Sequence, residues 1–150
     1  MRTSAGEDEQ KPERARFLSL EGRRIVRALG NKIKMTEEPV FDRVVVSPSP
    51  ASVQTAELFA DRVDYVGMIE VLPELETGVP AQVAAPIILA RGERVLVVTD
   101  EPSLSVLGAF LVGRPTFPPL QRGQVSVIVD RAPAWCLRPG DLARSLLLVA

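Results

Sequence analysis

Asp100 and Glu101 form an acidic pair between an apolar run, Val95-Leu96-Val97-Val98, and Pro102. The run is short, continuous and mostly β-branched, as in a strand buried on both faces. Leu104, Leu107 and Leu111 follow at i, i+3, i+7, one face of a helix. Asp100 is therefore expected at the carboxyl end of a buried strand, where ligands bind in open α/β sheets. Three roles are open to a carboxylate there. It can cap the helix that starts at Pro102, by accepting from amides that the first turn leaves unpaired. It can belong to a binding pocket. It can act in catalysis as a phosphoryl acceptor, a task that normally gathers several carboxylates around magnesium. Glu101 is adjacent, and Glu74 follows Val71-Leu72 at another expected strand end. Ser47 has two readings as well: a pocket hydroxyl, or part of a Ser-Pro-Ser-Pro turn into a helix. Cys136 has no histidine to activate it and is expected to pack beside Trp135 as a small apolar side chain.

The elements that must position these groups alternate. Ser19 is placed to cap a helix to about Lys34, with Ile25, Leu29 and Ile33 inward. Val44 to Val46 reads as a strand, and Ser52 to Val63 as a helix with Val53, Ala56 and Ala60 inward. Val71-Leu72 is a short strand, and Gln82 to Ala90 a helix with Pro86 near its first turn. The stretch from Gly113 to Gly123 is rich in proline and glycine and reads as a loop. Gly123 to Val129 is strand-like. This order implies an α/β/α sandwich of three layers with a mainly parallel sheet. Residues 1–17 are expected to be a charged, flexible segment, and 18–150 a single domain. Ser145 to Ala150 is apolar to the last residue. It is expected to form a closing helix after Asp141, to fill a gap in the sheet, or to meet another chain.

Composition excludes several classes. The 150 residues suit one domain that buries ~68–70% of its unfolded surface. With 18 basic and 19 acidic residues the net charge is −1, which argues against an extended nucleic-acid interface. One cysteine and no histidine exclude an internal disulfide and the usual zinc site, and no cofactor or metal is called for. There is no signal-peptide core and no run long enough to span a membrane. A cytoplasmic protein is the expectation.

Two families share the Asp100 segment. Response-regulator receivers carry an acidic pair after an apolar strand, but need more βα units after it than about 50 residues supply. The histidine phosphatase superfamily, in its small SixA-type phosphohistidine phosphatase branch, is the better match. Val98-Thr99-Asp100-Glu101-Pro102-Ser103-Leu104-Ser105 resembles its V-G-H-E-P-x-L-S segment, with Asp100 at the second catalytic histidine. Ser47, Pro48, Gln54, Thr55 and Ala56 match its S-P-x-x-R-A-x-Q-T-A, with Ala51 at the phosphate-binding arginine. Leu18-Ser19-Leu20-Glu21-Gly22-Arg23 resembles its L-T-x-x-G-R turn, and Trp135 to Leu142 its W-x-L-x-P-x-x-L ending. The ordered set spans residues 18 to 150 and implies a bacterial protein of this fold.

The resemblance also marks what has changed. The family's nucleophile is a histidine in R-H-G at the tip of the first strand. Here Arg2 stands for the arginine and Thr3 for the nucleophile. Too few residues precede Thr3 for that strand, so it is expected to be missing or replaced; a coding start upstream of Met1 would restore it. Charge-assisted bonds to phosphate are worth ~1.5–3 kcal/mol each, and Thr3 and Ala51 remove such partners. Asp100 adds repulsion of ~4 kcal/mol at ~4 Å and an effective dielectric near 20. The degenerate pocket is thus Arg2, Thr3, Ser47, Ala51, Asp100 and Glu101. The expected function is non-catalytic: a binding or scaffolding module for a phosphoprotein, an active homologue or a larger assembly, with a homo-oligomer as a further option. The alternative is a divergent phosphatase or phosphotransferase that works through Asp100 and nearby carboxylates with a metal.

Overall fold

The computed structural model describes residues 1–8 and 10–149. Ser19 caps α1 (Leu20–Met35) by accepting from Gly22 N. β1 (Arg43–Val46) leads through Ser49, which accepts from Ser52 N, into α2 (Pro50–Arg62). β2 (Ile69–Val71), α3 (Ala81–Leu89), β3 (Val95–Val98) and α4 (Ser103–Val112) follow. β1 lies between β2 and β3, parallel to both, with Val45 opposite Glu70 and Val97.

Strand alternation in this sheet sends apolar side chains into two clusters, one on each face. Val44, Val46, Leu96 and Val98 pack with Val26, Leu29, Ala56 and Phe59 of α1 and α2. Val45 points the other way, into Ala84, Ala85, Ile88 and Leu107 of α3 and α4. The sheet is therefore covered on both faces, in keeping with the apolar runs Val44 to Val46 and Val95 to Val98. No helix is long and apolar enough to cross a membrane. The buried stripe of α1 runs through Val26 rather than Ile25, and Val53 of α2 packs on the core only partly buried. Pro86 lies in the second turn of α3, deeper than expected, and β2 starts two residues before the expected Val71.

A stub of the chain's first residues takes the place beside β3. Met1 N donates to Val97 O, Thr99 N to Met1 O, and Thr3 N to Thr99 O, a parallel ladder. On the other side Arg2 N donates to Gln124 O, and Gly123 N to Arg2 O. Met1, Thr3 and Ser4 are buried. The expected boundary at residue 18 thus fails for residues 1–6, which belong to the domain. Burial outweighs the charge of the following stretch, whose Glu7, Asp8, Lys11 and Arg14 stay exposed.

Beyond the stub lies an antiparallel sheet of β4 (Val125–Val129), β5 (Ala132–Leu137) and β6 (Ser145–Leu146). Asp130 and Arg131 both take positive φ, the two-residue turn that matches strand twist in hairpins. The apolar C-terminal run is neither a helix nor the central strand. It pairs with β5 at the sheet edge, with Leu147 N on Ala134 O. Leu147 is buried while Leu146 and Leu148 are exposed, a strand's alternation.

The Met1 amine is fully buried, and burial lowers its pKa from 8.0 to about 5, against the opposing pull of Glu101. Below pH 5 the amine is charged in both folded and unfolded chains, and the folded one bears the cost of burying that charge. Above pH 8 it is neutral in both. A polypeptide that begins at Met1 should therefore gain stability as pH rises from about 5 to 8. Within that window the unfolded chain holds the proton and the folded one does not, so stability climbs by up to ~1.4 kcal/mol for each step of one in pH. Urea titrations across that window check it, and Nα-acetylation should flatten the profile.

Candidate functional site

The carboxyl ends of β1, β3 and the N-terminal stub meet at one point, and α2 starts beneath it. Two clusters form there. The first is made of buried hydroxyls. Ser52, in the first turn of α2, is its hub: its Oγ lies 2.7 Å from Thr3 Oγ1, 2.8 Å from Ser47 Oγ and 2.7 Å from Ser49 Oγ. Thr3 Oγ1 also reaches Thr99 O at 3.3 Å, and Thr99 Oγ1 donates to Leu75 O. Ser4 Oγ donates to Gly22 O, and Ser4 N to Thr55 Oγ1. A hydroxyl offers one proton and two lone pairs, so such a cluster satisfies itself without a ligand.

The second cluster is ionic. Arg2 Nε donates to Asp100 Oδ1 at 3.2 Å, and Arg122 Nη1 lies 3.8 Å from the same oxygen. Arg2 Nη1 donates to Leu120 O at 2.8 Å. The Asp100 side chain is only 11% exposed. Asp100 does not cap the following helix with its carboxylate. Its backbone carbonyl accepts from Leu104 N, while the side chain turns to the arginines. Two guanidiniums each bring a full opposite charge that a capping amide lacks, which favours this direction. Glu101 instead braces the helix start: it accepts from Ser105 Oγ and from Leu120 N.

The amides at the start of α2 are also taken. Ala51 N donates to Arg16 O at 2.9 Å and Ser52 N to Ser49 Oγ. A helix N-terminus can hold an anion only with amides to spare. A groove of ≈ 240 Å³ lies alongside, lined by Pro12, Glu13, Pro48, Ser49 and Thr77. The Arg14–Glu76 ion pair, also in its lining, joins two loops at 2.8 Å.

All six expected pocket residues reach this end of the sheet: Thr3 and Ser47 through Ser52, Ala51 beside it, and Arg2, Asp100 and Glu101 in or next to the ionic cluster. Glu74 makes no cluster with them: among the described residues no three carboxylates, cysteines or histidines gather as a metal site would require. Sequence reasoning missed Ser52 and Arg122. Ser52 stands three residues after Ser49, the spacing of a capped helix start, which hid a second role. Arg122 stands in a proline- and glycine-rich loop, and nothing local marks its partner.

No protein-family model and no curated protein sequence matches the chain. Solved structures do. The protein histidine phosphatase SixA, solved with tungstate, is 25% identical with a TM-score of 0.78, covering 93% of this chain and 94% of its own. The α-ribazole phosphatase from Shigella flexneri is 16% identical, TM-score 0.64, covering 89% and 91%. A mycobacterial glucosyl-3-phosphoglycerate phosphatase is 12% identical, TM-score 0.62, covering 83% and 85%. The last two share the fold alone.

Proposed function

We propose that this chain, which has the histidine phosphatase fold and is similar to SixA-type phosphohistidine phosphatases, is a non-catalytic binding module. The observation that carries the reading is the closed state of its pocket. The groups placed to hold a phosphoryl oxygen already make internal hydrogen bonds. Arg2 is on Asp100 and Leu120 O, Thr3 and Ser47 are on the Ser52 hub, and Ala51 N is on Arg16 O. The SixA structure was solved with an oxyanion, tungstate. An oxyanion at Thr3 would have to displace several of these bonds. It would also stand near Asp100, where repulsion of ~4 kcal/mol weakens binding about a thousandfold. The chain has no histidine, so the phosphohistidine intermediate expected of this fold has no nucleophile.

The competing reading makes Asp100 a phosphoryl acceptor. Its carboxylate is held as a counterion by two guanidiniums, which draws electron density away from an attacking oxygen. No feature favours that reading.

A protein partner in a bacterial cytoplasm suits the outer edge of β6. Leu142, Leu146 and Leu148 are 98%, 80% and 78% exposed around this short edge strand. Apolar side chains at an open sheet edge invite pairing with another chain. The reading is tested by hydrolysis of an aryl phosphate by the purified 150-residue chain, with and without magnesium. Rates at the buffer blank are expected; magnesium-dependent turnover would replace the binding module with an enzyme.

A further inference from the structure

We infer that the outer face of α3 and α4 is an interface for a second copy of this chain, met across a two-fold axis. The inference goes beyond the pocket and the edge of β6, and stands whether or not the pocket is catalytic. The two helical layers of the parallel sheet differ in charge. α1 carries Arg23, Arg24 and Arg27, and α2 carries Glu57, Asp61 and Arg62, as helices that face water do. α3 and α4 carry no charged residue at all. They lie side by side and run the same way. Gly78 N, just before α3, donates to Ser103 Oγ at the start of α4, 3.0 Å away. Ala84, Ala85 and Ile88 share a buried cluster with Leu107 against the sheet. The opposite stripes are Val83, Pro86 and Leu89 on α3 and Val106 and Phe110 on α4, all exposed. Adjoining apolar stripes of this kind mark interaction sites.

Charge points to a second copy as the occupant. A two-fold interface sets a patch against itself, so a charge near the axis meets one of its own sign. A face with no charge escapes that cost. The charges at its border fit the same arrangement. Glu101 stands before α4 and Arg114 after it. With α4 antiparallel to its copy, Arg114 of each chain comes toward the partner's Glu101, and Val106 toward the partner's Phe110. Among the described residues Arg114 makes no ion pair within its own chain, whereas Arg91, after α3, already holds Glu70 at 2.7 Å. A lipid surface fits less well, because helices that lie on membranes carry lysine or arginine on their polar face, and these two carry neither. Size sets the strength. Helices of 9 and 10 residues make a face roughly 15 Å long and 20 Å wide. That is below the ~800 Å² per partner of a standard interface, so the association is weak and reversible.

The test is sedimentation equilibrium of the 150-residue chain from micromolar to near-millimolar concentration, beside Val106→Lys, Leu89→Lys and Leu146→Lys. The mass of the unmodified chain should rise from 16.3 kDa toward that of two chains. Val106→Lys and Leu89→Lys each put a lysine into the charge-free face, and each should weaken association at least ~10-fold. Leu146→Lys, on the edge of β6, should leave it unchanged. Val106 and Leu89 are 55% and 64% exposed, so a lysine at either is compatible with folding, which circular dichroism checks. Should one variant not fold, the other decides. A mass of 16.3 kDa at every concentration overturns the inference. If such single chains float with neutral phosphatidylcholine vesicles, the face belongs to lipid. Association that survives both face variants, or that Leu146→Lys abolishes, also overturns it, and the second result would place the contact at β6.

Discussion

Gly22→Ala is expected to destabilise the protein by about 3 kcal/mol, the upper range for forcing atoms into a packed site. The sign is the surprising part. At an ordinary helix position the same change stabilises by up to ~1 kcal/mol, because alanine is the better helix former. Here a Cβ would stand 2.1 Å from Ala5 O and 3.0 Å from Ala5 C. Those are backbone atoms, so no side chain can swing aside. Ala5 O also accepts from Ser19 N and Ser19 Oγ, and Ser4 Oγ donates to Gly22 O. Moving the strand stub away would break these bonds and loosen Thr3 and Arg2 with them. A fall in Tm of roughly 6–12 °C should follow in thermal unfolding, at ~2–4 °C per kcal/mol for a chain of this size. Leu20→Ala, at a residue 64% exposed in the same turn, should change little. A Gly22→Ala protein as stable as the parent would mean that residues 1–6 do not pack against α1.

Ser52→Ala carries the second large effect. The substitution leaves space, so overpacking is not at issue. It strands the hydroxyls that converge on Ser52 Oγ. Thr3 keeps Thr99 O and Ser49 keeps Ser52 N, whereas the bond to Ser52 is the one that Ser47 Oγ makes. A buried hydroxyl left without a partner costs ~1–3 kcal/mol, and a loss of about 2–3 kcal/mol is expected for the cluster. Removing both partners of one bond is cheaper than removing one. The double variant Ser47→Ala with Ser52→Ala should therefore be less destabilised than the sum of the two single changes. Urea unfolding of the four proteins measures this; strict additivity would mean that the two hydroxyls do not interact.

The layered fold was legible because its signals are local. Val44 to Val46 and Val95 to Val98 show the unbroken apolar runs of doubly covered strands, and Ser19 and Ser49 mark helix starts by type and spacing. Positions that depend on partners far along the chain were not legible. Asp100, two residues before Pro102, reads locally as a cap, yet Arg2, far away in sequence, and Arg122, in a later loop, take its carboxylate. The N-terminal residues look too polar and too few for a strand. They are held because β3 and Gln124 offer backbone partners on both sides. The C-terminal leucines fail as a helix because alternation, rather than a helical stripe, decides which of them is buried.

The two clusters explain one another. The hydroxyl hub leaves its hydrogen bonds satisfied on one side, and Asp100 balances the charge of Arg2 and Arg122 on the other. In the reading we propose, this pocket performs no phosphoryl transfer. The direct measurement is phosphate release from a phosphohistidine-bearing protein by the purified chain, with and without magnesium, beside Asp100→Ala. Release equal to spontaneous hydrolysis in every arm is the predicted result. Release that is faster with the unmodified chain and lost in Asp100→Ala would contradict it, and would make Asp100 the phosphoryl acceptor of an enzyme.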